Sequence, residues 1–172
     1  MRTLTAIVFL VLSFAVSAQE KLNAFHVFLA NPSFTQSDST GNNFSGAVGV
    51  AYQRRVARVW AVELAVARAT DRETIIHYDH NGNVVETRRS TSNTTPVDAA
   101  AFYQFPNDTS WKPYLGAVVR EIDSNLLYGV GGGVVWQFGQ SLGLRFDGRI
   151  LGGDRPSWVD QFNASAGVTW RF

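Results

Sequence analysis

The sequence contains no cysteine, which excludes several kinds of chemistry at once. A chain without cysteine has no disulfide framework, no thiolate nucleophile and no cysteine-ligated zinc site. Histidine is scarce, with only three residues in 172. The 15 basic residues are nearly balanced by 14 acidic residues, which argues against a nucleic-acid-binding protein that relies on bulk positive charge.

Long apolar runs are confined to the amino terminus. Arg2 precedes an almost entirely apolar stretch from Leu4 to Val16, and small residues follow just before Gln19. This order is typical of a secretory signal peptide, and the stretch is too short for a membrane-spanning helix. We therefore expect residues 1–18 to be a signal peptide and residues 19–172 to be exported, with a retained anchor as the alternative. Cleavage of the signal peptide would remove Arg2 and leave equal numbers of basic and acidic residues in the exported chain.

The last eleven residues alternate between two kinds of side chain. One parity is apolar and comprises Phe162, Ala164, Ala166, Val168, Trp170 and Phe172, whereas the other is small or polar. Successive side chains of a β-strand point to opposite faces, so the pattern predicts a strand with one apolar face. In a soluble sheet this face would be an aggregation-prone edge, but lipid would cover it if the first strand paired with the last. A soluble sandwich edge is the alternative.

The same alternation recurs earlier in the chain and predicts seven further strands. A mean hydropathy of -0.05 fits such strands, because only alternate residues of a membrane barrel face lipid. Residues 69–93 are polar yet extended, and Asn81-Gly82 between two β-rich runs predicts a hairpin that continues two strands beyond the membrane. The seven predicted strands are residues 22–30, 44–53, 60–67, 95–105, 111–120, 127–138 and 142–150.

Two stretches resemble the small outer-membrane β-barrel family, the OmpA/OmpX-like proteins. The alternating carboxyl terminus resembles their last strand, in which the residues matching Val168, Trp170 and Phe172 form a signal read by the barrel-assembly machinery. Residues 102–117, FYQFPNDTSWKPYLGA, are similar to the family's connection between the fourth and fifth strands. The resemblance implies an all-β fold: an eight-stranded antiparallel up-and-down transmembrane β-barrel over residues 19–172. It also implies the outer membrane of a Gram-negative-type bacterium, with both termini in the periplasm.

Aromatic residues collect beside the short turns and the carboxyl terminus. In an up-and-down barrel these positions share one rim, where amphipathic rings suit the membrane interface. The predicted interface residues are Tyr52, Trp60, Tyr103, Phe105, Trp111, Tyr114, Trp136 and Phe138, together with Trp170 and Phe172 of the last strand.

Charged residues fall on the inward parity of several predicted strands. The lumen of an eight-stranded barrel is just wide enough for side chains to fill it, and unpaired charges there are costly. We expect the predicted lumen charges to form carboxylate–arginine pairs that plug the barrel, and a gated pathway for ions is the alternative. These residues are Glu63, Asp98, Arg145, Asp147, Arg149 and Arg171.

Three classes of function follow from this interpretation. The first is a structural or surface-interaction barrel whose loops, chiefly residues 31–42 and 69–93, contact partners outside the cell. The second is a small, mostly closed pore. The third is a lipid A-modifying enzyme, which we do not expect because none of the three histidines is followed two residues later by serine, the deacylase-like pattern.

A metal site is the remaining alternative that the residues offer. His77, Asp79 and His80 could ligate a metal, but in a polar hairpin such residues are more often solvated. We expect no catalytic site, metal or cofactor and no nucleic-acid partner. The expected partners are outer-membrane lipid, the assembly machinery during biogenesis and an extracellular partner at the loops, for a monomeric protein.

Overall fold

The computed structural model describes residues 23–31, 44–78, 84–153 and 161–172. The predicted signal peptide, most of the loop 31–42 and the Asn81-Gly82 turn lie outside these ranges. Across the described ranges, no helix is long and apolar enough to cross a membrane.

The described residues form nine strand segments, joined in antiparallel pairs. These are β1 (Asn23–Asn31), β2 (Phe44–Arg55), β3 (Trp60–Tyr78), β4 (Val84–Thr94), β5 (Val97–Gln104), β6 (Trp111–Ile122), β7 (Asn125–Gln137), β8 (Leu142–Gly152) and β9 (Gln161–Arg171).

The sheet closes on itself because β1 pairs with both β2 and β9 and because β2 also pairs with β3. β5 pairs with the first part of β3 and β4 with the later part, so β4 and β5 together form one strand of the barrel wall. The described wall is therefore an eight-stranded antiparallel barrel, and the predicted fold class is confirmed.

The sequence predicts a continuous strand through residue 95. In the structure, the strand formed by β4 and β5 is interrupted between Thr94 and Val97. Pro96 has no N–H to donate to the ladder, which explains the interruption. Its carbonyl still accepts a hydrogen bond from Ala67 N at 3.1 Å, so the wall stays connected at this point.

The two faces of the wall have opposite polarity. Large apolar side chains on the outer face are exposed, including Leu29, Leu115 and Val130. Their neighbours along each strand point inward and are less exposed, and the buried ones include both small residues and charged ones. The apolar residues that pack together inside the barrel are Ala100, Phe102, Tyr114, Val118, Leu127, Val135 and Leu151.

The two ends of the barrel also differ. At one end, which we call the turn end, short connections join β2 to β3, β5 to β6 and β7 to β8, and Asn23 and Phe172 exchange backbone hydrogen bonds. The other end, the loop end, carries a ribbon formed by Ala69–Tyr78 of β3 and Val84–Thr94 of β4. This pairing confirms that the two strands continue as an extended ribbon, and its position beyond the membrane stays a prediction.

The loop end also carries a two-residue turn between β6 and β7. Asp123 and Ser124 both have positive φ, at 48° and 67°, and the flanking residues Ile122 and Asn125 are paired. Positive φ at both central residues is the geometry of a type I′ turn, whose twist matches that of the flanking strands.

Candidate functional site in the barrel lumen

The charged side chains of the lumen come from strands on opposite walls. Glu63 lies on β3, and Arg145 and Arg149 lie on β8. In the order of strands around the barrel, β3 and β8 are separated by the same number of strands in either direction, so they face each other across the full diameter. A contact between these side chains therefore ties the two walls together.

Arg145 joins two carboxylates near the middle of the lumen. Its Nη1 donates to Glu63 Oε2, and its Nε and Nη2 lie 2.7 and 2.8 Å from Asp147 Oδ2 and Oδ1. Such a fork of parallel contacts is the strongest geometry for an arginine–carboxylate pair. Arg145 is thus held from its own strand and from the opposite wall at once.

Arg149 and Arg120 continue the contacts toward the loop end. Arg149 Nη2 lies 2.8 Å from Glu63 Oε1, and its Nη1 lies 2.5 Å from Asp98 Oδ2. Arg120 donates to both oxygens of Asp98, from Nε at 2.7 Å and from Nη2 at 2.8 Å. Its Nη1 also donates to Asn163 Oδ1 at 2.9 Å, which reaches the wall at β9.

These contacts form one ladder in which acidic and basic residues alternate. We call it the ionic ladder, and its members in order are Asp147, Arg145, Glu63, Arg149, Asp98 and Arg120. All six side chains are less than one tenth exposed. Desolvating so many charges is costly, and their mutual contacts offset that cost only while the ladder is complete.

The structure corrects the prediction for Tyr114. The sequence predicts this ring at the membrane interface. In the structure it is 4% exposed and lies inside the barrel. Its hydroxyl donates to Asp147 Oδ1 and accepts from Arg145 Nε at 2.7 Å, and its ring centre is 4.9 Å from the Arg145 guanidinium carbon. The reason is strand parity, because Tyr114 shares its face of β6 with the buried Val118.

Arg171 is the one predicted lumen charge that the described contacts do not bring into the ladder. It is half-buried at the turn end, where it lies beside Gln137 and Arg55. Parity along β9 points it inward, but its height along the barrel axis separates it from the carboxylates of the ladder. The predicted network was therefore wrong in including it.

Two lumen residues escaped the sequence prediction. Arg120 completes the ladder, and the alternation along the predicted strand 111–120, which puts it on the same face as Tyr114 and Val118, is the signal that identifies it as inward. His26 is 2% exposed, and its Nε2 lies 3.9 Å from Glu63 Oε2. Neither ring nitrogen of His26 has a hydrogen-bond partner within the described part of the chain.

The other predicted interface aromatics lie at the turn end. Trp60 and Tyr103 meet edge to face at 5.5 Å, Tyr103 continues to Phe105, and Trp111 stacks on Trp136 at 5.6 Å. Trp136 also contacts Phe138, and the Tyr52 hydroxyl donates to Asn23 Oδ1 at 2.8 Å. Their role at a membrane interface stays a prediction.

The predicted assembly residues Val168, Trp170 and Phe172 lie on the outer face at the end of the chain. All three are about half exposed, and the rings of Trp170 and Phe172 are 5.3 Å apart. They are thus accessible on the outside of the barrel, and their role in assembly stays a prediction.

Metal ligation has little support in the part of the chain that the structure describes. No group of three or more histidine and carboxylate side chains there is arranged to hold a metal ion. Asp79 and His80 of the alternative metal site lie outside the described residues.

The backbone is similar to those of several small outer-membrane barrels. The N-terminal β-barrel domain of Pseudomonas aeruginosa OprF superposes with a TM-score of 0.54 and 15% identity over 89% of this chain and 98% of that one. Neisserial surface protein A superposes with a TM-score of 0.55 and 16% identity over 91% and 100%. Yersinia pestis Ail superposes with a TM-score of 0.52 and 15% identity over 89% and 100%.

Sequence comparison adds no relationship to this structural one. No family model matches the chain, and no curated protein sequence matches it. At these low identities the structural similarity establishes the fold, which is that of small outer-membrane barrels, and function must be argued from the residues.

Proposed function

We propose that this protein is an integral outer-membrane β-barrel with a structural or surface-interaction role. The observation that carries the proposal is the inverted polarity of the wall, with charged residues buried inside and large apolar residues exposed outside. In water this arrangement would expose far more apolar surface than a monomeric protein tolerates. In a bilayer the same surface is covered by lipid, and in the described wall neighbouring strands pair their backbone groups with one another.

The ionic ladder supports a plugged lumen. It ties β3 to β8 across the diameter, while the buried rings of Phe102 and Tyr114 fill the space beside it. Side chains that are held by several contacts each leave little freedom for a wide aqueous path. The ladder would then fix the register of the strands and fill the lumen.

The ribbon is the part of the barrel that we propose contacts partners outside the cell. It projects from the loop end, opposite the turn end with its aromatic residues and the carboxyl terminus. With the termini in the periplasm, as the resemblance implies, the ribbon faces the exterior. The proposed partners are thus outer-membrane lipid, the assembly machinery during biogenesis and an extracellular surface. The closed wall supports a monomer, because below the ribbon each strand of the described barrel is paired on both sides.

Cysteine labelling on intact cells tests the orientation, because the chain has no native cysteine. Ser92→Cys lies on the exposed part of the ribbon, and Asp108→Cys lies in an exposed connection at the turn end. A maleimide that does not cross membranes should label the first variant on intact cells and the second only after permeabilisation. The reverse pattern, or equal labelling of both variants, would contradict the proposal.

A surface role is tested by shortening the ribbon. Arg72 and Thr91 are paired, so residues 73–90 can be replaced by Asn-Gly, which closes a two-residue hairpin. Cells carrying the shortened protein should adhere less to the surfaces that bind cells carrying the full chain, and Asp108→Asn at the turn end should change nothing. Equal adhesion of all strains, including cells without the protein, would restrict the proposal to a structural role.

A small gated pore is the second candidate function. Two cavities, of about 30 and 10 Å³, lie beside the ladder, and they favour this alternative because a broken ion pair would enlarge them. Planar-bilayer recordings of the wild type and Glu63→Ala test it. Absence of conductance in both would eliminate the pore, whereas conductance that rises in the variant would support it.

We propose no catalytic activity for this barrel. His26 is buried inside the lumen, where it cannot contact lipid. An acyl-transfer enzyme needs a nucleophile and a positioned base that reach its substrate. Mass spectra of lipid A from cells with and without the gene test this statement, and any gene-dependent change in acylation would overturn it.

A further inference from the structure

The two lumen cavities lie next to each other along the barrel axis. The larger, which we call the outer chamber, is lined by Asp98, Arg120 and Asn163 and by alanines near the loop end, including Ala65. The smaller, the inner chamber, is lined by His26, Glu63, Arg145, Asp147 and Ala51. Phe28, Arg149 and Ser165 line both chambers, so these side chains lie at the boundary between them.

Phe28 is the bulky, apolar member of this partition. It is paired with Gly49 on one neighbouring strand and with Gly167 on the other, so its side chain has a glycine on each side at its own height. A Cβ at Gly49 would lie 2.8 Å from Phe28 Cε2, and a Cβ at Gly167 would lie 2.8 Å from Phe28 Cβ. Both distances are too short for a carbon–carbon contact. The absence of a side chain at Gly49 therefore provides the space that the Phe28 ring occupies, and its absence at Gly167 allows the backbone of β1 to approach β9 closely at Phe28.

Both chambers contain buried polar groups with unused hydrogen-bonding capacity. Arg149 makes one contact from each of Nη1 and Nη2, although a guanidinium carries five N–H donors. Within the described residues, Asn163 Nδ2 and both ring nitrogens of His26 have no partner. Buried polar groups are almost always satisfied, and a cavity of about 30 Å³ that contains such groups is large enough for water.

We propose that the lumen contains a blind vestibule for water and other small hydrogen-bond-accepting solutes, which is entered from the loop end and ends at Phe28. The outer chamber has room for about two water-sized groups, which the Arg149 and Asn163 donors would bind. The Phe28 ring separates this site from the His26–Glu63 pair in the inner chamber. The inference rests on the proposed barrel function and adds to it a solute site and the residue that closes it.

Substituted cysteines report which chamber an ion reaches. Ala65 in the outer chamber and Ala51 in the inner chamber are matched, because each is an alanine that is 3% exposed. The probe is the silver ion, which is close to water in size and blocks thiols, and it reports how far a water-sized probe enters rather than what the site binds. Each single-cysteine protein is refolded in detergent, exposed to silver and freed of excess silver. It is then unfolded and treated with a maleimide, which reports how many thiols silver left unblocked.

The vestibule predicts that silver blocks Ala65→Cys rapidly and Ala51→Cys at least tenfold more slowly. Adding Phe28→Ala should abolish the difference by accelerating the block at Ala51→Cys. Phe25→Ala is the matched control, because Phe25 lies on the outer face of the same strand. It should leave both rates unchanged. If Phe28→Ala does not fold, Phe28→Val serves as the second variant.

Three results would overturn the inference: slow blocking of Ala65→Cys, equal rates at the two positions in the wild-type background, or no acceleration by either Phe28 variant. Only protein that shows the electrophoretic mobility of a folded barrel enters the measurement. If the barrel proposal is wrong, this folded species is absent. If only the vestibule is wrong, the folded species is present but the blocking rates differ from those predicted.

Discussion

Arg149 Nη2 lies 2.8 Å from Glu63 Oε1, although the two residues project from opposite walls of the barrel. Glu63 accepts a second contact from Arg145 Nη1, so one carboxylate on β3 holds two guanidinium groups on β8. The contact partners are 82 and 86 residues apart in the chain. Glu63 is therefore the residue through which the ionic ladder joins the first half of the chain to the second.

Replacement of Glu63 by alanine should strongly destabilise the barrel. It leaves Arg145 and Arg149 buried with less compensation, and removal of one partner from a buried ion pair costs about 3–5 kcal/mol. The measurement is the free energy of unfolding in urea after refolding into lipid vesicles. Glu121→Ala, at the loop-end tip of β6, should change it by less than about 0.5 kcal/mol. Similar values for the two variants would show that the ladder adds no stability.

Replacement of Tyr114 by phenylalanine should also destabilise the folded state. It keeps the ring but removes the hydroxyl that lies between Arg145 and Asp147, a loss of about 1–3 kcal/mol for buried, charged partners. Tyr103→Phe on the outer rim is the matched control and should have little effect. An equal response of both tyrosines in the same urea titration would contradict the lumen position of Tyr114.

A lysine on the outer face should be costly at mid-height and tolerated near the loop end. Val130 lies near the middle of β7 and Leu126 near its start, and both side chains are exposed on the outer face. Charges on the lipid face of a barrel cost about 2–4 kcal/mol at the bilayer midplane and about 0–1 kcal/mol near the interface. Folding into vesicles should therefore be destabilised more by Val130→Lys than by Leu126→Lys. Equal effects would argue that lipid does not cover this face.

Deletion of Phe172 should impair assembly in cells more than folding in the test tube. The resemblance assigns Val168, Trp170 and Phe172 to recognition by the assembly machinery, which detergent refolding does not require. The protein without Phe172 should decrease in the outer-membrane fraction, whereas its detergent refolding yield should match the wild type. Phe138→Ala, another exposed turn-end aromatic, should leave the membrane fraction unchanged. A parallel loss in cells and in detergent would indicate a structural role for Phe172 alone.

The sequence was sufficient to predict which face of each strand a residue occupies, because side chains alternate strictly in a strand. Parity predicts that Glu63, Asp98 and Arg145 lie inside the barrel, and all three are buried in the structure. Tyr114 lies both beside a turn and on the inward parity of β6, and its burial shows that parity determines its position.

Position along the barrel axis was harder to predict, because it depends on how neighbouring strands are staggered. Parity alone puts Arg171 and Glu63 on inward faces, yet the pairing of β9 with β1 and β8 holds Arg171 at the turn end. Arg149, by contrast, reaches both Glu63 and Asp98, which lie on neighbouring strands. Such a shared contact follows from the closed barrel and its register, and no single strand pattern contains that information.

The central claim, that this chain forms a closed barrel in the outer membrane, is tested most directly by gel mobility of the membrane-extracted protein before and after boiling. A closed barrel should resist the detergent at room temperature, migrate as a compact species and shift to the mobility of the unfolded chain after boiling. Circular dichroism of the unboiled species should be rich in β-sheet. Recovery of the protein in the soluble periplasmic fraction, with one mobility under both conditions, would contradict the account.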